Sequence, residues 1–294
     1  MSTLDLGQEP ELKIQKRKVP RWRKMSPLSY IILTLVGFVS VFPFYWMVIV
    51  ASNGNEEISK ETPTLLIGPR LFEVIGHVFE ANEYFGISMW NTVFVGTIVA
   101  AAQVFFSSIA GFAFAKLNFK GRKFLVLFVV GTMMLPSQLG IIPLYMLMAN
   151  LGWINTLTAL IVPALVTAFG VFWMRQIIDA QVPNELLEAA SIDGAGVFRI
   201  YWRIVFPLIL QSGFVLGLFS FLAVWNDFLW PLLVLNDPQQ FTVQVAVNQL
   251  QSAYTIDYAL NLGGAFLATA PLLVLFLFVG RKLVSGVMDG AVKG

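Results

Sequence analysis

Long apolar runs alternate along the chain with short connections rich in charge. Six runs approach or exceed the ~20 mostly apolar residues that a helix needs to cross a bilayer. They fall at about 28–50, 91–115, 124–147, 155–174, 204–226 and 263–280. None contains Lys, Arg or Glu, and Asp227 lies just beyond the fifth. In lipid every backbone polar group must find a partner within the structure, so only helices and closed barrels span. Runs this long and uniformly apolar predict helices, because barrel strands are shorter and alternate in polarity. The expected architecture is an all-α polytopic membrane protein with six transmembrane helices.

The connections orient it. Basic residues gather in the cytoplasmic connections of membrane proteins. Seven lie in the N-terminal tail, four after the second run (Lys116, Lys120, Arg122, Lys123), three after the fourth (Arg175, Arg199, Arg203) and three at the C-terminus (Arg281, Lys282, Lys293). Only Lys60 and Arg70 fall on the other side. Six spans with both termini cytoplasmic satisfy this pattern, and an odd number would break it. The domain reading is a cytoplasmic tail over 1–27, a transmembrane domain over 28–284 and a C-terminal tail over 285–294. The polar, basic start and the length of the first run mark a retained span rather than a cleaved signal.

Composition agrees and narrows the chemistry. The 294 residues are 57% hydrophobic and 12% charged, against about 25% charged in soluble domains. There is no cysteine and one histidine, His77, in an outer connection. Thiol chemistry, Cys-type metal sites and His clusters are therefore excluded. The spans hold no ionisable pair of the kind proton- or ion-driven carriers use. No GxxxxGK[ST] phosphate-binding sequence is present. Energy for uphill transport would have to come from another protein. A stand-alone channel or facilitator and a membrane enzyme are the other classes weighed. The enzyme is the weakest, since its catalytic groups are missing.

Three local features stand out. Pro136 and Pro143 lie in one run with Ser137 and Gln138 between them, which predicts a distorted helix beside a path. Ser107 and Gly111 would permit close helix packing. The outer connection 227–262 is semi-apolar through Pro231–Leu235, so part of it is expected to turn back toward the membrane. The other outer connection, 51–90, carries six glutamates and reads as solvated linker or docking surface.

The fourth and fifth runs are joined by a charged segment, 178–207. Pro183 suits a helix start, and Glu185 and Glu188 occupy its first two turns, where the helix dipole favours anions. Leu186, Leu187, Ala189, Ala190 and Ile192 give that helix a broad apolar surface. Asp193 and Gly194 interrupt it, and Asp193 is placed to cap the next helix. That helix runs through Phe198, Tyr201 and Trp202 into the fifth span. The segment is either a loop folded on its own surface or a lever gripped by a partner.

The stretch EAASIDGAGVFRIYWRIVFPL, 188–208, resembles the EAA motif of ATP-binding-cassette (ABC) importer permeases. Glu188, Ala189, Ala190, Asp193, Gly194, Ala195, Ile204, Pro207 and Leu208 match it, Tyr201 replaces a Phe, and Gln211 replaces the final Pro. Asn91, GFAFAKLNFKGRK (111–123), MMLPSQLGIIPLY (133–145), WNDFLWPL (225–232) and the terminal GAVKG look like sugar-importer permeases, specifically the second permease of maltose-type systems. The resemblance implies a type I importer permease fold in a prokaryotic plasma membrane. It also implies a second homologous permease, an ABC ATPase dimer that uses ATP and Mg, an extracytoplasmic solute-binding protein and a sugar or oligosaccharide cargo. A polyol, glycerol phosphate or amino acid is the alternative cargo. No cofactor, metal, catalytic residue or nucleic acid is implied for this chain. By resemblance Glu188, Ala189, Ala190, Asp193, Gly194, Ala195 and Pro207 couple to the ATPase. Gly290, Lys293 and Gly294 would reach it from the tail. Gln249, Gln251 and Tyr254 would meet the binding protein.

Overall fold

The computed structural model describes residues 26–55, 60, 64–251 and 257–291, the last eleven of these by their backbone only. The chain divides into two compact units between Trp46 and Met47, within the first helix, α1 (Pro27–Asn53). The first unit contributes the apolar start of α1. The second carries the end of α1 and everything that follows.

Among the described residues, four helices are individually long and apolar enough to cross a membrane: α1, α3 (Phe85–Lys116), α9 (Val197–Trp225) and α12 (Tyr258–Ala291) over its Tyr258–Gly280 part. Two further runs are bent pairs. α4 (Arg122–Thr132) meets Ser137–Asn150, which contains α5 (Ile141–Asn150), at 95°. α6 (Thr158–Ala164) meets α7 (Ala168–Gln181) at 41°.

Both bent pairs join the two ends of the second unit. At the basic end, the Arg122 guanidinium donates to the carbonyls of Phe114 and Ala115, at 2.8 and 3.0 Å, closing the last turn of α3. At the other end, the Asn155 N–H donates to the Val234 carbonyl at 2.7 Å. The chain therefore travels from one end to the other between Arg122 and Asn155. It returns along α6 and α7 to the basic end, where the Lys116 ammonium donates to Asn184 Oδ1 at 2.9 Å. Among the described residues the four long helices and the two bent pairs give six candidate crossings, and the basic-residue pattern assigns the basic end to the cytoplasmic side.

The bends keep their backbone groups paired. Through the first, Met133, Met134 and Leu135 donate three residues back, to Val130, Gly131 and Thr132. Pro136 then forbids continuation of the helix. At the second, the carbonyl of Ala164 is satisfied by Gln103 Nε2 of α3 at 2.9 Å. Gln103 Oε1 in turn accepts from Ser220 Oγ of α9 at 2.8 Å and Thr167 Oγ1 at 3.2 Å. Gln103 is thus the polar hub of α3, α7 and α9. Gln103→Leu keeps the volume but strands the Ala164 carbonyl, while Ser220 and Thr167 keep bonds to Leu216 and Gly170; a buried group left unpaired costs about 1–3 kcal/mol. A clear fall in the melting temperature of the purified subunit is expected.

Close contact holds the bundle, since lipid supplies no hydrophobic drive between helices. A Cβ on Gly111 of α3 would stand 2.8 Å from the Arg175 backbone nitrogen and 2.9 Å from the Met174 carbonyl carbon, both on α7. Below this crossing a core of Phe112, Met174, Ile178, Tyr201 and Val205 seals the cytoplasmic end. The expected packing role of Gly111 is realised here.

Several expectations change. The second span begins at Phe85 and the fifth at Val197, each about six residues earlier than hydropathy placed them. The connection 51–90 contains α2 (Leu71–Ala81), so His77 is helical rather than in a loop. Val74 and Val78 of α2 pack inward, Val74 lying within 2.8 Å of where a Gly263 side chain would begin. α12 continues through the boundary at 284/285 to Ala291. The connection 227–262 does turn back, as α10 (Leu229–Val234) and α11 (Val243–Asn248). Val234, Leu235, Phe241, Val243 and Val245 are buried there.

Candidate functional site: the cytoplasmic lever

α8 (Asn184–Ile192) follows Pro183, whose extended backbone ends the fourth span's chain direction. Glu185 lies in its first turn. Its end is a complete Schellman closure: the Ala195 N–H reaches the Ala190 carbonyl at 2.9 Å and the Gly194 N–H the Ser191 carbonyl at 3.1 Å. That closure needs a left-handed residue, and Gly194 has φ +80°. Asp193 is the C-cap of α8. It does not cap the following helix, whose N-cap is Gly196 with no side-chain bond. The sequence expectation for Asp193 is corrected on this point: the turn places Gly194, Ala195 and Gly196 between it and α9.

α9 starts at Val197 and runs unbroken into the membrane, through one widened π turn over Tyr201–Val205. The widening precedes Pro207, whose ring would otherwise press on the Arg203 carbonyl and leave it without a donor. The Tyr201 hydroxyl and Ser108 Oγ of α3 share a buried hydrogen bond at 2.7 Å. The lever is therefore anchored to α3 at Lys116 and at Ser108.

The motif residues divide into two faces. Ala190 and Ala195 pack inward on the cytoplasmic core together with Leu187. Glu188, Ala189, Asp193 and Gly194 are exposed. Pro207 lies in the first turn after the π segment, within α9. Beside the exposed set stand large apolar side chains with no cover: Ile192 is 87% exposed and Phe198 76%. Phe198 lies outside the fixed motif positions; its exposure depends on the turn at Gly194 and was not readable from spacing.

The outer end is rigid as well. Asn91 of α3 donates to the carbonyls of Gln239 and Phe241 at 2.9 and 3.1 Å. Thr92 Oγ1 accepts from the Val243 N–H at 2.8 Å. Asn155 Oδ1 accepts from the Asn236 and Asp237 N–H groups. Gln249 and Gln251 are exposed here, and Tyr254 lies outside the described residues. Lys293 and Gly294 also lie outside them, and Gly290 is described only as backbone of α12.

Asp227 lies at this end beside a cavity of about 160 Å³ lined also by Trp230 and Thr242. Burial raises its pKa, against a lowering from the Trp230 backbone N–H. A raised acid binds its proton more tightly when folded, so its contribution to stability is full below the unfolded pKa and lost as pH rises through the folded one. Asp227→Asn should remove that part of the decline, seen as a flatter melting temperature as pH rises above the ordinary aspartate value of 3.8.

Among the described residues, no three His, Cys, Asp or Glu side chains gather to hold a metal. What the second unit offers instead is a membrane bundle with a cytoplasmic lever tied to it. Residues 103–284 match the family of binding-protein-dependent transport system inner membrane components. The chain is 32% identical over 278 residues to the arabinooligosaccharides transport system permease protein AraQ of Halalkalibacterium halodurans, covering 92% of this chain and 99% of that one. It is 34% identical to the lactose transport system permease protein LacG of Rhizobium radiobacter, over 93% and 98% of the two chains. It is 27% identical to the sn-glycerol-3-phosphate transport system permease protein UgpE of Yersinia enterocolitica, over 91% and 97%. A bacterial ABC transporter involved in the import of the acidic polysaccharide alginate contains a chain of the same fold, with TM-score 0.76 at 17% identity, over 86% of this chain and 94% of that one.

The chain belongs to the binding-protein-dependent transport system inner membrane components. It is a multi-pass permease subunit of the inner membrane, working with other components of an importer.

Proposed function

We propose that this permease forms half of the pathway of an ABC importer for a sugar or oligosaccharide, paired with a second homologous permease and driven by a separate ATPase dimer through α8. Relatives that carry arabinooligosaccharides and lactose in their names support a carbohydrate cargo. The sn-glycerol-3-phosphate relative keeps a small phosphorylated polyol as the second reading. ATP and Mg belong to the ATPase, and this chain holds no cofactor of its own. A solute-binding protein would deliver cargo at the outer end, against Gln249, Gln251 and Tyr254.

The observation that carries the proposal is the two-sided lever. One face, with Leu187, Ala190 and Ala195, is fixed to the bundle, while Ile192, Phe198, Glu188 and Ala189 are presented outward. Exposed apolar side chains rimmed by charge mark a protein interface. A partner that moves this face moves α9, because Val197–Trp225 continues into the membrane without a break. ATP binding biases the spans only if the ATPase contacts differ in free energy between conformations. The exposed bend at Met134, Leu135 and Leu139 of the broken span is the matching candidate for the pathway wall.

Uptake of labelled candidate sugars into proteoliposomes, with binding protein outside and ATP inside, tests the reading. Lactose, arabinooligosaccharides and sn-glycerol 3-phosphate are the first three cargoes to compare. Stimulation by either carbohydrate class supports it, and stimulation by the phosphate ester alone selects the second reading. Phe198→Ala should leave the subunit folded, because the side chain packs little within it. Loss of a well-packed aromatic anchor at an interface typically costs more than ~2 kcal/mol, so ATPase co-purification should fall at least tenfold.

A further inference from the structure

A recess of about 1080 Å³ opens at the cytoplasmic end, between the turn before α4, α4 itself and α7. Lys120, Lys123 and Arg175 line it, and so do Phe124, Leu127 and Val130. No carboxylate is among its lining residues. Arg122 also borders it, but its guanidinium is committed to the carbonyls that end α3.

Arg175 is the informative member. Its Nε is shielded from solvent and has no hydrogen-bond partner. The acid one turn further along α7, Asp179, approaches Lys116 at 3.8 Å instead. Arg175 as a whole is half-buried and its side chain lines the recess, and a cation partly withdrawn from water gains from a counter-charge. The recess therefore calls for an anion from outside this chain.

The wall says which kind. Along α4 the order is Lys123 and Phe124, then Leu127, then Val130, so that charge lies at the membrane boundary and apolar surface runs inward from it. Phe124 is 69% exposed and Leu127 70%. A soluble anion would satisfy the cations and leave this wall bare. A molecule with an anionic head and an apolar chain satisfies both, and basic pockets between spans on the cytoplasmic side suit such heads.

We propose that this recess binds an anionic phospholipid of the cytoplasmic leaflet, with its phosphate at Arg175, Lys120 and Lys123 and an acyl chain along Phe124, Leu127 and Val130. Arg175 stands on the helix that leads into the lever, and its backbone is the contact of Gly111. The bound lipid would thus brace the α3–α7 crossing from the membrane side.

The complete transporter, in nanodiscs containing photoactivatable phosphatidylglycerol or photoactivatable phosphatidylcholine, provides the test. Adducts are mapped to the peptide 119–130. Phosphatidylglycerol is expected to label it at least about fivefold more than phosphatidylcholine, and each cation removed should cost about fivefold. Arg175→Gln is the direct variant. Lys120→Gln with Lys123→Gln changes only exposed side chains, so it reads the same site if Arg175→Gln fails to fold. Equal labelling by the two lipids, or labelling unchanged in the double lysine variant, overturns the proposal. So does labelling confined to the other permease, which would show that protein covers the recess.

Discussion

Gly194→Val is expected to lower binding-protein-stimulated ATP hydrolysis and sugar uptake about tenfold while leaving the permease in the membrane. The Schellman closure at the end of α8 requires φ +80° at this residue. An L-residue pays roughly 1–2 kcal/mol in the left-handed region, and a β-branched one is a genuine outlier there. No atom lies within 4 Å of the position a side chain would take. The penalty is therefore conformational and local, with no clash to disturb the bundle. Relieving it re-aims Ile192 of α8 relative to Phe198 of α9 and spoils a face that must match its partner. A loss of about tenfold in coupled activity corresponds to 1.4 kcal/mol, within the strain introduced. Gly194→Asn is the control, because asparagine tolerates the left-handed region. It should retain most activity. Equal behaviour of the Val and Asn variants would show that the turn geometry does not matter.

Gly111→Val should have the largest effect on stability. Its Cβ would meet backbone atoms of Arg175 and Met174 at 2.8 and 2.9 Å, and backbone cannot rotate aside as a side chain can. α3 and α7 must then separate, opening the core of Phe112, Met174 and Ile178. Overpacking usually costs about 1–3 kcal/mol, and a backbone obstacle puts this case at the upper end or beyond. Low yield and a much lower melting temperature are expected. Gly131→Ala is the matched control: nothing lies within 4 Å of its added Cβ. Gly131 is the second-last residue of α4, so the change is worth at most the roughly 0.5–1 kcal/mol of stabilisation found in a helix interior. A Gly111→Val subunit as stable as the Gly131→Ala one would refute the close crossing.

The two positions show what the sequence could disclose. Hydropathy located the four long apolar helices and the two bent pairs to within about seven residues, because bilayer thickness acts on composition alone. The lever was legible as Pro183, the Glu188 motif and Gly194, each with a local physical role. The bend after Thr132 was signalled by Pro136, but its 95° angle depends on what α4 and α5 pack against. Gln103 gave no signal in a run of apolar residues. Its importance appears only when the kink at Ala164 is brought beside it. Likewise the split of the motif into inward Ala190 and Ala195 and outward Glu188 and Ala189 follows from the core beneath α8, not from spacing. The buried outer turns α10 and α11 read as semi-apolar loop because their helices are only six residues each.

The central claim is that the exposed face of α8 is held by the ATPase. The chain has no native cysteine, so Ile192→Cys creates a single reporter at a side chain that is 87% exposed in the subunit. Its maleimide labelling is measured in membranes with the permeases alone and with the ATPase assembled. Rapid labelling alone and at least tenfold protection in the assembled transporter is the predicted result. Equal labelling in both would contradict the account.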